Sequence, residues 1–111
     1  MNWNIIYYSE TLQEEIIALP AGIQARYIHL TRRMRIHGVN LGMPHTKPMK
    51  DGLFELRMKS KEDIGRVFYC TLINKQIVML HCFIKKTQKT PPSDLKLAIS
   101  RMKEVKANAD T

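Results

Sequence analysis

Two arginines, a histidine and a run of lysines mark the apolar segments in the second half of this chain. Arg57 lies within "LFELRMK", Arg66 opens "RVFYC", His81 closes "IVMLH", and "KKTQKT" follows at 85–90. Held on rigid strands, these side chains suit work on a phosphate ester. A guanidinium grips phosphate through a two-pronged fork, an imidazole moves protons near neutral pH, and lysine amines follow a charged backbone. Each has a plainer reading. An arginine at a strand end snorkels to water, a strand-ending histidine is commonly a core residue with one nitrogen satisfied, and a lysine-rich link is a solvated loop. The combination is what carries weight.

The elements that must position them follow from the pattern. Segments at about 53 to 59, 64 to 72 and 77 to 84 are joined by short polar links, which predicts an antiparallel meander. A two-residue turn at Asn74-Lys75 pairs Cys70 with Met79 and Val67 with Cys82. If Arg57 pairs with Arg66, one face carries Glu55, Arg57, Arg66, Phe68, Met79 and His81. Two arginines and a histidine beside one carboxylate are costly to bury unless they meet an anion. The same alternation sends Cys70 and Cys82 to opposite faces, against a disulfide. Their spacing fits no zinc motif, so neither metal nor cofactor is expected.

The first half reads as a strand, "WNIIYYS", and then two helices. Ser9 or Thr11 can cap the first, and Thr11 with Glu14 fits a capping box. Pro20 breaks it, and a longer helix runs to about His37 and ends at Gly38. Ile23, Tyr27, Leu30 and Met34 share one face of that helix, while Arg26 and Arg33 lie elsewhere. Residues 39 to 52, with two prolines and two glycines, read as a loop. After Pro91 and Pro92, Ser93 is the expected cap of a last helix, whose inner stripe is Leu95, Ala98, Ile99, Met102 and Val105. Lys96, Lys103 and Lys106 should point away. The expectation is one α+β domain over residues 1–107, ordered βααβββα with a small antiparallel sheet, and a frayed tail at 108–111.

Charge sharpens the functional reading. The chain of 111 residues carries a formal net charge of +8. Residues 1 to 25 hold three acids and no Lys or Arg, and the remainder has 18 basic against seven acidic residues. That asymmetry suits an anionic partner, nucleic acid or an acidic protein. No secretory signal is visible and no apolar run approaches the ~18 residues of a membrane span. A cytoplasmic protein with no membrane partner is expected.

"DGLFELRMKSKEDIGRVFYC" followed by "IVMLHCFIKKTQKTPPSDLKLAISRMKE" resembles the HigB branch of the RelE/ParE toxin superfamily. The resemblance implies a RelE-like fold and a ribosome-dependent messenger RNA endonuclease, neutralised by a helix-turn-helix, HigA-like antitoxin. It also implies chemistry without metal, in which the RNA's own 2′-hydroxyl attacks the adjacent phosphorus. Arg66 matches the family's phosphate-binding arginine, and Arg57 and Lys86 match basic positions that stabilise charge. Lys59, Lys85, Gln88 and Lys89 are the expected RNA contacts. Glu55 stands where RelE has a lysine, and the family's tyrosine near the last helix corresponds to Thr90 or Pro91. His81 is then the first candidate acid or base and Glu55 the second. A ParE-like gyrase poison and a non-enzymatic basic RNA-binding module are the alternatives.

Overall fold

The computed structural model describes residues 2–61, 63–85 and 90–109. Its elements are β1 (Asn4–Tyr7), α1 (Glu10–Ile17), α2 (Ala21–His37), β2 (Thr46–Pro48), β3 (Phe54–Lys59), β4 (Ile64–Leu72), β5 (Gln76–Lys85) and α3 (Pro92–Ala109). The five strands form one sheet in the order β1-β5-β4-β3-β2. The α+β architecture is the expected one, with two amendments. The sheet is mixed, because β1 runs parallel to β5. The loop at 39 to 52 also contributes an edge strand, β2, antiparallel to β3. A strand this short and proline-ended leaves almost no alternation for a sequence pattern to show.

Local chemistry sets the helix limits. Ser9, not Thr11, caps α1: its hydroxyl accepts from the Leu12 N–H at 3.1 Å. Gly38 ends α2 at φ 106°, a conformation open to glycine, and its N–H reaches the Met34 carbonyl. α3 starts at Pro92, so Ser93 lies inside the first turn and the Leu95 N–H reaches back to the Pro91 carbonyl. Proline is well suited there, because its missing N–H would have had no partner. Lys106, expected to point away, is half-buried beside the β4–β5 turn.

The sheet has two unlike faces. Leu12 and Ile16 of α1 and Ile23, Tyr27, Leu30 and Met34 of α2 pack on Leu56, Met58, Val67, Tyr69, Ile77, Met79 and Cys82. Ala98 and Met102 of α3 pack on Leu53, Phe68, Cys70, Val78 and Leu80 from the other side. Gly65 lets α2 lie close on the sheet: a Cβ there would lie 2.5 Å from the Ile23 side chain.

The β4–β5 turn differs from expectation in a way that cancels itself. It has three residues, with Asn74 and Lys75 both at positive φ, so Leu72 pairs with Gln76 and Cys70 with Val78. A bulge at Phe68/Tyr69 absorbs Leu80 and restores the expected pairs Val67–Cys82 and Phe68–His81. Met79 consequently faces α1 and α2 and does not join the ionic face. The cysteines do fall in opposite clusters and both are free. Burial pushes each thiol up to about 11. Among the described residues, no helix is long and apolar enough to cross a membrane.

A cationic cleft as the candidate functional site

Three rungs cross the sheet on the face that α3 partly covers. They are Glu55–Phe68–His81, Arg57–Arg66–Phe83 and Lys59–Ile64–Lys85. Arg57 does sit opposite Arg66, as alternation predicts. Exposure rises from rung to rung. Glu55, Phe68 and Arg66 are 0% exposed, Arg57 has 19% of its side chain exposed, and Lys59 is open to water.

Two like charges directly opposite each other repel, and Glu55 offsets that repulsion. Its Oε1 accepts from Arg57 Nε at 2.8 Å, and its Oε2 accepts from Arg66 Nη1 at 3.1 Å. The Thr90 hydroxyl, just ahead of α3, donates to the same Oε2 at 3.1 Å and lies 3.5 Å from Arg66 Nη1. A carboxylate with no exposed surface and a bond to each oxygen is shielded from a substrate. Glu55 is therefore built to hold two guanidiniums in place, a different task from the proton transfer anticipated for it. Among the described residues Arg57 makes this one ion pair, through Nε, which leaves the outer edge of its fork towards solvent.

His81 stands one rung further under α3. Its Nε2 is 2.6 Å from Asp94 Oδ1, and its ring stacks on Phe83. Together, Thr90 and Asp94 tie the head of α3 to the sheet at two points. Lys85 shares its rung with Lys59, whereas Lys86, Gln88 and Lys89 lie outside the described residues.

A cleft of about 200 Å³ opens beside these rungs, lined by Arg26, Pro44, His45, Arg57, Lys59, Ile64 and Arg66. No acid lines it among the described residues, although Glu55 lies beneath its arginines. Two of its members, Arg26 and His45, were not singled out by the sequence. The fold brings His45 in through the 39–46 segment. Tyr69 donates its hydroxyl to the Val39 carbonyl, Thr46 Oγ1 donates to Asn40 Oδ1 at 2.9 Å, and the Gly42 N–H donates to Thr46 Oγ1 at 2.9 Å. The His45 carbonyl then accepts the Arg57 N–H at 2.8 Å, fixing the histidine's backbone against β3. Desolvation, followed by Arg33, Arg26 and His29, holds its imidazole below the usual 6.5. The shift favours the neutral imidazole, which offers a free lone pair to a proton but binds it weakly beside these cations. The signal that could have found it is "MPHTKP", a histidine between two prolines just before the arginine-bearing strand.

A larger hollow, about 410 Å³, lies between the β4–β5 turn and the end of α3, lined by Thr71, Leu72, Ile73, Lys106 and Ala109. Among the described residues Lys106 is its one ionisable side chain, and none of the candidate site residues lines it. The chemistry-bearing groups converge on the smaller cleft.

Fold and cleft together define a class: a small α+β domain whose mixed sheet carries a cationic, arginine-lined recess. Within that class, the model of the family described as phage-derived protein Gp49-like (DUF891) matches residues 14–103. The chain belongs to that family, a toxin-like family of toxin–antitoxin systems. A search of curated proteins found no match.

Proposed function

We propose that this protein is the toxin of a type II toxin–antitoxin pair, and that it cleaves messenger RNA on the ribosome. The observation that carries this reading is the pair of guanidiniums, Arg57 and Arg66, clamped by Glu55 at the floor of a cleft whose walls hold no acid among the described residues. Cleavage through the 2′-hydroxyl forms a bond from O2′ to phosphorus and breaks the bond to O5′. One proton leaves O2′ and one arrives on O5′, while negative charge builds on the non-bridging oxygens. Rigid donors aimed at that charge lower the barrier without reorganising. In this reading Arg57 meets the phosphate directly, and Arg66 stiffens it through the shared carboxylate. Lys59 and Lys85 hold the flanking backbone. His45 is the base the cleft favours, and His81, held by Asp94, is the second candidate for proton transfer. The antitoxin, a helix-turn-helix protein, would silence the toxin by binding it.

A non-catalytic RNA-binding role draws on one observation, the complete burial of Arg66. One experiment separates the two. The purified chain is incubated with translating ribosomes, and messenger ends are mapped for the wild type and Arg57→Gln. Defined cleavage that falls about a hundredfold in the variant is expected. Ribosome binding with intact messenger would replace the nuclease reading with the binding one.

A further inference from the structure

Arg26 has a setting in the cleft that its helix does not explain. It precedes Tyr27, whose ring sits in the apolar core, and its Nε is shut off from water with no hydrogen-bond partner among the described residues. Among the described residues Arg26 makes no ion pair, whereas Glu55 pairs with Arg57 and Arg66, and His81 with Asp94. The polar side chains that line the cleft with it are Arg57, Lys59, Arg66 and His45. A desolvated donor among like charges raises the energy of the empty protein, and an anion relieves both costs together.

We propose that Arg26 is the second jaw of a phosphodiester clamp, in which an anionic phosphate oxygen is gripped by Arg57 from β3 and by Arg26 from α2. The jaws differ in kind. Arg57 is held in advance by Glu55 and presents a fixed edge, whereas Arg26 has no anchor among the described residues and completes its bonding only when the ligand arrives. A phosphodiester suits this clamp because its two non-bridging oxygens can each meet one fork. The identity of the ligand as RNA rests on the nuclease reading above; the clamp itself does not.

Because the clamp predicts opposite effects on fold and ligand, two readouts test it. Orthophosphate, and separately a short 2′-deoxy oligonucleotide that cannot be cleaved, are titrated into the full chain while arginine Nε–H resonances are followed. Both Arg26 and Arg57 signals should move along one binding curve. Arg26→Gln should weaken binding about tenfold, the loss of one charge-assisted contact, and Arg26→Lys should recover part of it. The melting temperature of the ligand-free Arg26→Gln protein should hold or rise, since an unsatisfied group has gone. An Arg26 signal that ignores both ligands overturns the clamp. So does an Arg26→Gln protein that melts lower yet binds phosphate normally, which marks a structural role. Ribosome assays without cleavage, beside an intact clamp, would remove the nuclease reading alone.

Discussion

The two faces of the sheet solve the same burial problem with different chemistry. Against α1 and α2 every large buried contact is apolar apart from the tyrosine hydroxyls, and Tyr7 and Tyr27 satisfy each other at 2.8 Å. Against α3 the fully buried apolar residues end at Phe68 and Leu80, with Phe83 packed half-buried beside Phe68, and the sheet continues as Glu55, Arg57 and Arg66. The core of the first face can lose atoms but has no charge to strand. The second can be broken by removing a single partner. A domain of this size has room for one face that does nothing but hold the fold, and that face frees the other for charge.

The largest expected effect is on the ionic face. Arg66→Met should cost about 3–5 kcal/mol, because it leaves the Glu55 carboxylate buried with one of its cations missing. Replacing both, Glu55→Met with Arg66→Met, should recover much of that loss in urea denaturation. On the apolar face Leu30→Ala should cost about 2–5 kcal/mol, and adding Met34→Ala should deepen the loss, not repair it. Recovery on the apolar face, or none on the ionic one, would erase the contrast.

Gly65→Ala probes where the faces meet. Its Cβ would press on the stiff Ile23 side chain, and overpacking of this sort costs about 1–3 kcal/mol. The strain should push α2 outward and carry Arg26 with it, so phosphate affinity should fall along with the urea midpoint. Unchanged affinity in a destabilised variant would separate the cleft from α2. Asp94→Ala is a milder cut, about 1–2 kcal/mol, since it removes the part-buried bond to His81. Hydrogen exchange should speed up first in the opening turn of α3. Exchange spread evenly through the domain would count against that local role.

The smallest effect is one of pH. His45 binds its proton more weakly when folded than its ordinary 6.5. Between those two values the unfolded chain holds more protons, so this group's contribution to stability falls as pH drops through that window and is complete above it. Facing it are Arg26, Arg33 and His29 from α2, with Arg57, Lys59 and Arg66 from the sheet. Added orthophosphate should offset those cations and shallow the acid-side fall in melting temperature, and His45→Gln should remove the phosphate-sensitive part. A fall of the same depth in both proteins would assign it to other groups.

Much of this was legible in the chain. Arg57 opposite Arg66 followed from alternation and a short link, and the opposed cysteines followed from the same logic. What escaped was set by three-dimensional detail with no local signature. The Leu80 bulge and the three-residue turn cancel in register, so pairs near the site came out right while Cys70 and Met79 came out wrong. Helical periodicity puts Arg26 off the apolar stripe of α2, but it reports which side meets the core and not where a long side chain ends. Glu55 was legible as a neighbour of the arginines. Its task was not, since only packing shows both oxygens engaged.

The order of strands across the sheet has a consequence for how the chain folds as it is made. Both outer strands, β1 and β2, precede the three between them in the sequence, β2 ending at Pro48 and β3 starting at Phe54. The early strands have no sheet to join until the β3–β4–β5 meander has been synthesised, and β1 meets β5 only across some seventy intervening positions. Local pairing in the meander should therefore precede closure of the edges. Until then the apolar stripes of α1 and α2 wait without a partner layer. Pulse-labelled refolding should protect amides at 64–72 and 76–85 before those at 4–7, and the reverse order would show that the helices recruit the first strand on their own.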